Sequence, residues 1–304
     1  MRRRREPTVL AVLMLMLSVQ GASGTPDGIE YSLGPQGFEV TAGVFALSLT
    51  DETGPHYNFY DRVENETEHH VMLLRAFEYV DDNQDGLYNA ENDSVVNPSI
   101  SFQTASWSFG GFLTQEDEGV AVGLQFNLSS VGGFAPHQTE LRVVLQNQIQ
   151  IHNQNALRFG FVVDGWNWAR EDTNLAIVMA LGTGDRGQQM RRPEITHQPK
   201  NITFENGFFA FDSPVFYGQN QAELNVSLGG AVSQGEGEQI LLCVPYFGNN
   251  VLVCDTLIGL VQASSIPSTT QTTTTLLGTD RLLLVSVGVS VVIVVVALLQ
   301  RKEE

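Results

Sequence analysis

Basic residues are scarce in this chain, and lysine is nearly absent. The 304 residues include 34 Asp and Glu against 16 Lys and Arg, a formal net charge of −18. Lysine occurs only at Lys200 and Lys302. A surface with this charge repels nucleic acids and anionic lipids, so we expect no nucleic-acid partner. It favours divalent cations, cationic partners or a saline medium, and it also serves solubility alone.

The sequence also lacks the short signatures of common catalytic sites. It contains no Gly-x-Ser-x-Gly elbow, no His-Glu-x-x-His zinc helix, no phosphate-binding loop and no Gly-x-Gly-x-x-Gly fingerprint. The adjacent His69 and His70 face opposite ways on a strand, which argues against a shared metal site. No catalytic residue is therefore predicted.

Cysteine is limited to Cys243 and Cys254. If Gly248 and Asn249 form the turn of a hairpin, the two cysteines face each other across a β-ladder, and bridging is then within reach. Disulfides persist outside the cell, where the chain ends described below place this region. We therefore predict a Cys243–Cys254 disulfide.

A secretory signal accounts for the N-terminus. Four arginines precede the apolar run 9–19, which is followed by small residues up to position 24. This order is typical of a cleaved signal peptide, and the run is too short to span a bilayer. We predict a signal peptide over 1–24. The alternative, a buried N-terminal helix, leaves the arginines unexplained.

A second apolar run, 282–299, contains no charged residue. As a helix it is about 27 Å long, close to the roughly 30 Å of a bilayer core. With basic residues after it, the run predicts one transmembrane helix over 281–300, the N-terminus outside and a cytoplasmic tail at 301–304. The alternative is a lipid-anchor signal, although such an apolar tail normally ends the chain. Residues 264–280 are rich in Ser and Thr and predict an extended stalk.

The pattern between 25 and 263 has the period of β-strands. Residues 141–151 and 157–163 alternate apolar with polar or small positions, whereas 174–181 is apolar on both faces and predicts a central strand. No convincing amphipathic helix is present. We predict an all-β fold, an antiparallel β-sandwich that forms the ectodomain over 25–263. It is one large sandwich or two small ones with a boundary near 130–138.

Five Asn-x-Ser/Thr sequons support this assignment. Three of the asparagines fall on the polar face of a predicted strand, where a glycan requires space. The predicted glycosylation sites are Asn65, Asn92, Asn127, Asn201 and Asn225.

The stretch DDNQDGLYNAEND, residues 81–93, carries oxygen-bearing side chains at a regular spacing, with a glycine at the sixth position. Calcium takes six to eight oxygen ligands, and glycine permits the sharp turn. The stretch resembles the EF-hand and dockerin type of calcium loop. The predicted ligands are Asp81, Asn83, Asp85, the carbonyl of Leu87, Asn89, and Glu91 or Asp93 in place of the usual twelfth-position acid.

Two features of this loop distinguish it from the EF-hand family. The twelfth position is Asn92, and the flanking residues predict strand and a proline rather than a pair of helices. The resemblance therefore implies a weak structural Ca²⁺ site, with a dissociation constant on the order of 10⁻⁴ to 10⁻³ M, and no opening switch. The alternative is an acidic turn that binds no metal.

Two tryptophans, Trp166 and Trp168, occur in DGWNWARED, residues 164–172. A pair of indoles can stack on sugar rings or anchor a protein partner. The role that we expect to be commoner is to fill the core or close a strand end. Exposed rings would indicate a lectin-like surface, and buried rings would exclude one.

Together these features predict a single-pass cell-surface glycoprotein with a calcium-stabilised β-sandwich outside the membrane. We expect it to act in adhesion, matrix or surface-layer contact with a glycan or protein partner. The alternative is a membrane-tethered extracellular hydrolase that acts on glycans, which requires a cleft with two acids about 5–10 Å apart. A third reading, a cation- or mineral-binding matrix component, rests on charge alone.

Overall fold

The computed structural model describes residues 28–261, apart from 35–36, 51–53, 65, 135, 152–154, 187, 212 and 233–236. These residues form two antiparallel β-sheets and contain no α-helix, which confirms the predicted all-β sandwich for this part of the chain. The predicted signal peptide, stalk and transmembrane helix lie outside the described residues, as does Asn65. Within the described residues, no helix has the length and apolar character that crossing a membrane requires.

Ten strands form the first sheet, here called sheet A; strands are numbered in chain order through both sheets. They are β1 (Ile29–Gly34), β2 (Gly37–Ala42), β3 (Phe45–Thr50), β4 (His56–Asp61), β5 (Thr67–Val80), β6 (Ser94–Val95), β7 (Ile100–Ser101), β12 (Asn174–Asp185), β18 (Asn225–Ala231) and β19 (Glu238–Val244). The order is β1-β2-β3-β4-β5-β12-β19-β18, and β6 and β7 pair with β5 beside that path.

The second sheet, sheet B, also has ten strands. They are β8 (Ser106–Asp117), β9 (Val120–Gly132), β10 (Arg142–Gln150), β11 (Ala156–Asp164), β13 (Ile195–Gln198), β14 (Asn201–Phe204), β15 (Gly207–Ala210), β16 (Val215–Tyr217), β17 (Asn220–Ala222) and β20 (Leu252–Leu260). The order is β13-β14-β15-β20-β11-β10-β9-β8, with β16 paired to β17 and β20.

The hydrophobic core lies between the sheets and draws on both of them. Strand β10 buries every second residue, as predicted for 141–151. The odd positions 157–163 of β11 are buried in the core, and Gly160 and Val162 are buried on its other face. Strand β12 is buried on both faces because its inner side chains lie in the core and a second apolar cluster covers its outer side. Strands β5 and β19 pair with its two edges. Strands β9 and β10 pair directly, so the stretch 133–141 connects neighbours within one sheet.

The two ends of the sandwich differ. One end, here called the loop end, carries the connections 81–93, 133–141, 165–173 and 245–251. The strand ends that these connections join are neighbours within each sheet: Arg142 pairs with Asp164 in sheet B, and Leu175 with Val244, Asn174 with Tyr79 and Val80 with Ser94 in sheet A. The opposite end, here called the exit end, contains Leu260 and Val261, whose backbone N–H groups donate to the carbonyls of Asn155 and Asn206. The described chain therefore ends at the exit end, across the sandwich from the loop end.

The predicted cysteine hairpin is wrong. Cys243 belongs to β19 in sheet A and Cys254 to β20 in sheet B, and these two strands do not pair. Gly248 does lie in a turn with a positive φ of 60°, but the chain crosses there from one sheet to the other. Both cysteines are buried free thiols, so the predicted disulfide is absent.

Candidate functional site

A buried glutamate holds the tryptophan loop on the sandwich. Glu78 ends the inner face of β5 and is fully buried. One carboxylate oxygen accepts hydrogen bonds from the Arg170 N–H at 3.1 Å and the Thr173 hydroxyl at 2.6 Å. The other accepts from the Ala169 N–H at 3.0 Å and the Asn97 amide at 3.1 Å. A buried charge is tolerated when its lone pairs are occupied in this way, so Glu78 fixes the backbone of 169–173.

The tryptophan pair divides into one core residue and one half-buried residue. Trp166 is only 5% exposed and packs in the core, so it presents no face to a ligand. Trp168 is half-buried; its indole N–H donates to the Gly248 carbonyl at 3.1 Å. Its ring centroid lies 4.9 Å from those of half-buried Tyr246 and buried Phe247. Of the two residues predicted as ligand contacts, only Trp168 retains exposed surface.

Charged side chains follow Trp168 in the chain. Arg170 is exposed and pairs with exposed Asp172 through both of its carboxylate oxygens. The Arg170 guanidinium lowers the pKa of Asp172 by hydrogen bonding to it. The loop end therefore combines two partly exposed aromatic rings with polar groups on a backbone that Glu78 holds in place.

The acidic loop 81–93 folds over the outer face of sheet A. Its Tyr88 ring packs edge-on against Phe77 at 4.8 Å and Tyr79 at 5.2 Å. These two aromatics belong to a small apolar cluster that also contains Cys243 and the outer side chains of β12. Hydrogen bonds from Asn225 to the Gly86 carbonyl and from Ser227 to the Tyr88 carbonyl hold the loop down. The loop is therefore a cover for a second, outer apolar cluster, a role that the sequence did not indicate.

In the first half of the loop, the side chains predicted as calcium ligands hydrogen-bond to the backbone and hold a turn. The Asp81 carboxylate accepts from the N–H groups of Asp85 and Gly86, at 3.2 and 2.8 Å. Asn83 accepts from the same Asp85 N–H at 3.2 Å and donates to the Asp85 carboxylate at 2.8 Å. The side chains of Asp81, Asn83 and Asp85 thus hydrogen-bond around a single turn.

The second half of the loop is arranged differently. Buried Asp93 accepts from the N–H groups of Asp82 and Asn89, at 3.2 and 2.6 Å, and so closes the loop. The Asn89 amide oxygen accepts from the Glu91 N–H, and the Glu91 side chain is exposed. Leu87 is half-buried and donates its N–H to Asp85. Across the described residues, no three or more His, Cys, Asp or Glu side chains form a group that could hold a metal ion.

The three histidines of β4 and β5 form two separate arrangements, one half-buried and one buried. His56 and His70 lie on the outer face of sheet A, with Nε2 of the former 2.6 Å from Nδ1 of the latter. His69 faces the core, where its Nε2 lies 2.6 Å from the Asn206 amide oxygen. Burial lowers the pKa of His69 below its ordinary value. The adjacent His69 and His70 thus point to opposite faces, as predicted.

An open depression of about 660 Å³ lies at the exit end, lined by Glu66, Asp185, Arg186, Gln188 and Gln189. The Arg186 guanidinium lies over the Tyr60 ring, 4.0 Å from its centroid, and donates to the Tyr60 hydroxyl. This depression brings two carboxylates to one open surface. Neither had been singled out in the sequence, because acids are too numerous for any pair to stand out.

The four described sequons differ in their surroundings. Asn92 is exposed in the acidic loop, and the other three lie half-buried in strands. Asn127 and Asn225 have buried neighbours on either side, as the predicted alternation requires, whereas Asn201 begins its strand between exposed Lys200 and buried Ile202. Asn225 donates its amide to the Gly86 carbonyl at 3.3 Å, beneath the acidic loop. The amide oxygen of Asn201 is buried, with no hydrogen-bond partner in the described chain.

Comparisons with known proteins do not assign a family. No protein-family model matches the chain, and no curated protein matches it. Two solved structures share a low backbone similarity: a heparan sulfate lyase, HepC from Pedobacter heparinus, at 7% identity and a TM-score of 0.38, and a heparinase III at 8% and 0.39. The matches cover 75% and 79% of this chain but 34% and 36% of those proteins, so the chain spans about a third of their length. Similarity at this level carries no information about function.

Proposed function

We propose that the chain is a membrane-anchored surface protein that binds glycans of a neighbouring cell, matrix or surface layer through its loop end. The observation that carries the proposal is the pair of half-buried aromatic rings at the loop end, Trp168 and Tyr246, whose centroids lie 4.9 Å apart. The membrane anchor is the helix expected over 281–300, which lies outside the described residues.

The chemistry of the loop end supports a glycan as the partner. Aromatic rings pack against the C–H faces of sugars, and neighbouring polar groups hydrogen-bond to their hydroxyls. Trp168 and Tyr246 supply partly exposed rings, and Arg170 and Asn167 supply exposed donors. Because Glu78 holds the 169–173 backbone, little ordering is required on binding, which favours affinity.

The binding test uses the full-length chain in lipid vesicles against immobilised neutral and acidic polysaccharides. Trp168→Ala and Tyr246→Ala are expected to weaken binding at least roughly tenfold, the effect of removing a central aromatic contact. Tyr31→Ala is the control, since Tyr31 is 45% exposed on edge strand β1. Equal loss in all three variants, or no retention of any polysaccharide by the wild type, would contradict the proposal.

Calcium is the second part of the proposal, as a stabiliser of the acidic loop. Support comes from the convergence of Asp81, Asn83 and Asp85 on one turn. Thermal unfolding of the full-length chain is expected to shift upward in millimolar calcium relative to chelator, because a ligand of the folded state stabilises it. Asp85→Ala should abolish the shift, and Glu116→Ala, exposed on β8, should preserve it. An unchanged midpoint for the wild type reduces the loop to an acidic turn.

The exit-end depression supports a second candidate, hydrolysis of glycans. Glu66 and Asp185 line it together, as a pair of catalytic carboxylates would. If this reading holds, polysaccharide incubated with the full-length chain gains reducing ends, and Glu66→Gln and Asp185→Asn each stop the release. Activity that survives both substitutions would place the chemistry elsewhere.

A further inference from the structure

Strand β8 is an exposed sheet edge with unusual composition. Among the described strands it pairs only with β9, at the end of the sheet B order. No charged side chain occurs from Ser106 to Gln115, and Leu113 is 59% exposed. Uncharged edge strands with exposed apolar groups pair readily with the edge strands of other molecules. Proteins normally protect such edges with charged side chains, with β-bulges or with a covering helix or loop. Bulges interrupt β8, but they leave Leu113 uncovered.

The sequon asparagine Asn127 lies next to the central bulge of this edge. Asn127 pairs with Gly110 of β8, and Leu113 pairs with Gln125, two residues from Asn127 on the same face of β9. A methyl group at Gly110 would meet no atom within 4 Å, so the space beside Asn127 on the edge side is open. A methyl group at Gly111 would lie 2.8 Å from the Asn127 amide nitrogen, which shows how closely that nitrogen approaches the bulge.

The Asn127 amide differs from those of the other two strand sequons. Asn225 donates to the Gly86 carbonyl, and the Asn201 amide oxygen is buried. No hydrogen bond engages the Asn127 amide within the described part of the chain. A substituent on its nitrogen therefore displaces no hydrogen bond within the described residues, and the two glycines give it a path towards β8.

We propose that Asn127 carries an N-linked glycan that lies over the Gly110–Gly111 bulge and Leu113, and that this glycan protects the β8 edge from pairing with a second copy of the chain. The proposal rests on the export of the chain that the proposed function assumes. It assigns a role to the exposed Leu113 and to the two glycines together.

The modification is a simple group transfer. Nδ2 of Asn127 forms a bond to the anomeric carbon of a lipid-linked oligosaccharide, whose lipid phosphate or diphosphate departs as the leaving group. Nδ2 gives up one proton and keeps one hydrogen. The sugar C–H faces then cover the apolar surface of Leu113, while the sugar hydroxyls face water and block the unpaired N–H and C=O groups of β8 sterically.

The test compares full-length chains made in a secretory host that attaches N-glycans and purified in mild detergent. Asn127→Gln and Ser129→Ala each remove this sequon by a different residue. Asn92→Gln removes an exposed sequon in the acidic loop, which packs on sheet A and not on sheet B, and is the matched control. Glycopeptide mass spectrometry measures occupancy, and light scattering after size-exclusion chromatography measures the oligomeric state.

We expect Asn127 to be occupied in the wild type, which stays monomeric. Both variants lacking this sequon should form concentration-dependent oligomers, the Asn92→Gln variant should not, and Leu113→Lys added to Asn127→Gln should restore the monomer because an edge charge prevents pairing. An occupied Asn92 beside an unoccupied Asn127 overturns this inference alone, as do monomeric Asn127→Gln and Ser129→Ala chains. A chain without a glycan at any sequon overturns the assumed export as well.

Discussion

The Glu78 carboxylate accepts a hydrogen bond from the Thr173 hydroxyl at 2.6 Å, although the two residues are 95 positions apart in the chain. This contact joins the end of β5 to the start of β12, and three further donors complete the carboxylate's shell. The tertiary position of the Trp168 loop therefore depends on a single buried anion.

Replacing this anion should destabilise the fold. In Glu78→Gln an amide nitrogen, which is a donor, replaces one carboxylate oxygen and faces groups that are themselves donors. At least one buried N–H or hydroxyl therefore loses its hydrogen-bond acceptor. We expect a loss of about 2 kcal/mol in the free energy of unfolding, measured by chemical denaturation. Glu91→Gln, at an exposed position, should change it by less than about 0.5 kcal/mol. Equal effects would show that Glu78 does not anchor the loop.

Substitutions at two glycines distinguish the cost of backbone strain from the cost of a steric clash. Gly86 and Gly119 have similar positive φ values, 76° and 81°. A methyl group at Gly119 meets no atom within 4 Å, whereas one at Gly86 would lie 2.4 Å from the Asn225 amide nitrogen. Gly119→Ala should cost about 1 kcal/mol through strain alone. Gly86→Ala should cost clearly more, because the acidic loop must also shift from sheet A.

A double substitution checks the origin of that excess. In Gly86→Ala/Asn225→Ala the clashing amide is gone, so the extra cost relative to Gly119→Ala should largely disappear. Non-additive unfolding free energies for the two sites are the expected sign of direct contact. Additive values would mean that the loop does not rest on Asn225.

Acid should weaken the fold through His56. Burial, together with the nearby His70, lowers the pKa of His56 to about 4, against about 6.5 when unfolded. The folded state thus binds the proton less readily, and its stability is complete above pH 6.5 and declines as the pH falls towards 4. The shift corresponds to at most roughly 3 kcal/mol. His56→Gln should flatten this part of a stability profile measured by denaturation between pH 7.5 and 4.

His70 and Glu68 both act electrostatically on His56, so the comparison must be made between variants. Glu68 lies beside His70 and tends to raise the pKa of His56. His197→Gln, at an exposed position of β13, is the control and should leave the profile unchanged. If His56→Gln declines with acid as steeply as the wild type, another group carries the acid sensitivity.

The two thiols should be unreactive in the folded chain and independent of each other. Burial raises the pKa of Cys243 to about 11 and that of Cys254 further. Thiol reagent should therefore label neither in the native state and both after unfolding, and reductant should leave the unfolding midpoint unchanged. An oxidised, internally bridged mass in the native protein would contradict the arrangement of β19 and β20.

Removing the Tyr88 ring should expose one of these two thiols and not the other. Tyr88 covers the outer cluster that contains Cys243, whereas Cys254 lies in the core between the sheets. Tyr88→Ala should therefore speed native labelling of Cys243 and leave Cys254 protected. Equal acceleration of both would indicate general loosening of the sandwich.

The local hydrophobic periodicity predicted the strands well, because a half-buried strand requires apolar residues at alternate positions of the sequence. The stretches 141–151, 157–163 and 174–181 became β10, β11 and β12 with the expected faces. Strand partners were harder to predict. Residues flanking Gly248 look like a hairpin, but β19 and β20 are each apolar enough to be central strands, and each is taken up by a different sheet. Nothing local distinguishes these outcomes.

The candidate site could be predicted only in part. The loop 81–93 and the tryptophan pair were visible as local motifs, but their packing depends on distant residues. The loop contacts β12 and β18, and Trp168 donates to the Gly248 carbonyl. Glu78 offered one signal, a single acid within the apolar run AFEYV, which indicates either an exposed position or a buried anion with partners. Its four donors come from two segments, Asn97 and residues 169–173, and only the fold brings them together.

The position of β12 sets the order in which sheet A can be completed. Strands β1 to β5 are consecutive neighbours and can pair as the chain emerges, whereas β12 lies between β5 and β19, and β19 ends at Val244. Until that late segment arrives, β12 has one unpaired edge and two apolar faces. Chains truncated before β19 should therefore aggregate rather than fold, and folding should be limited by these long-range pairings.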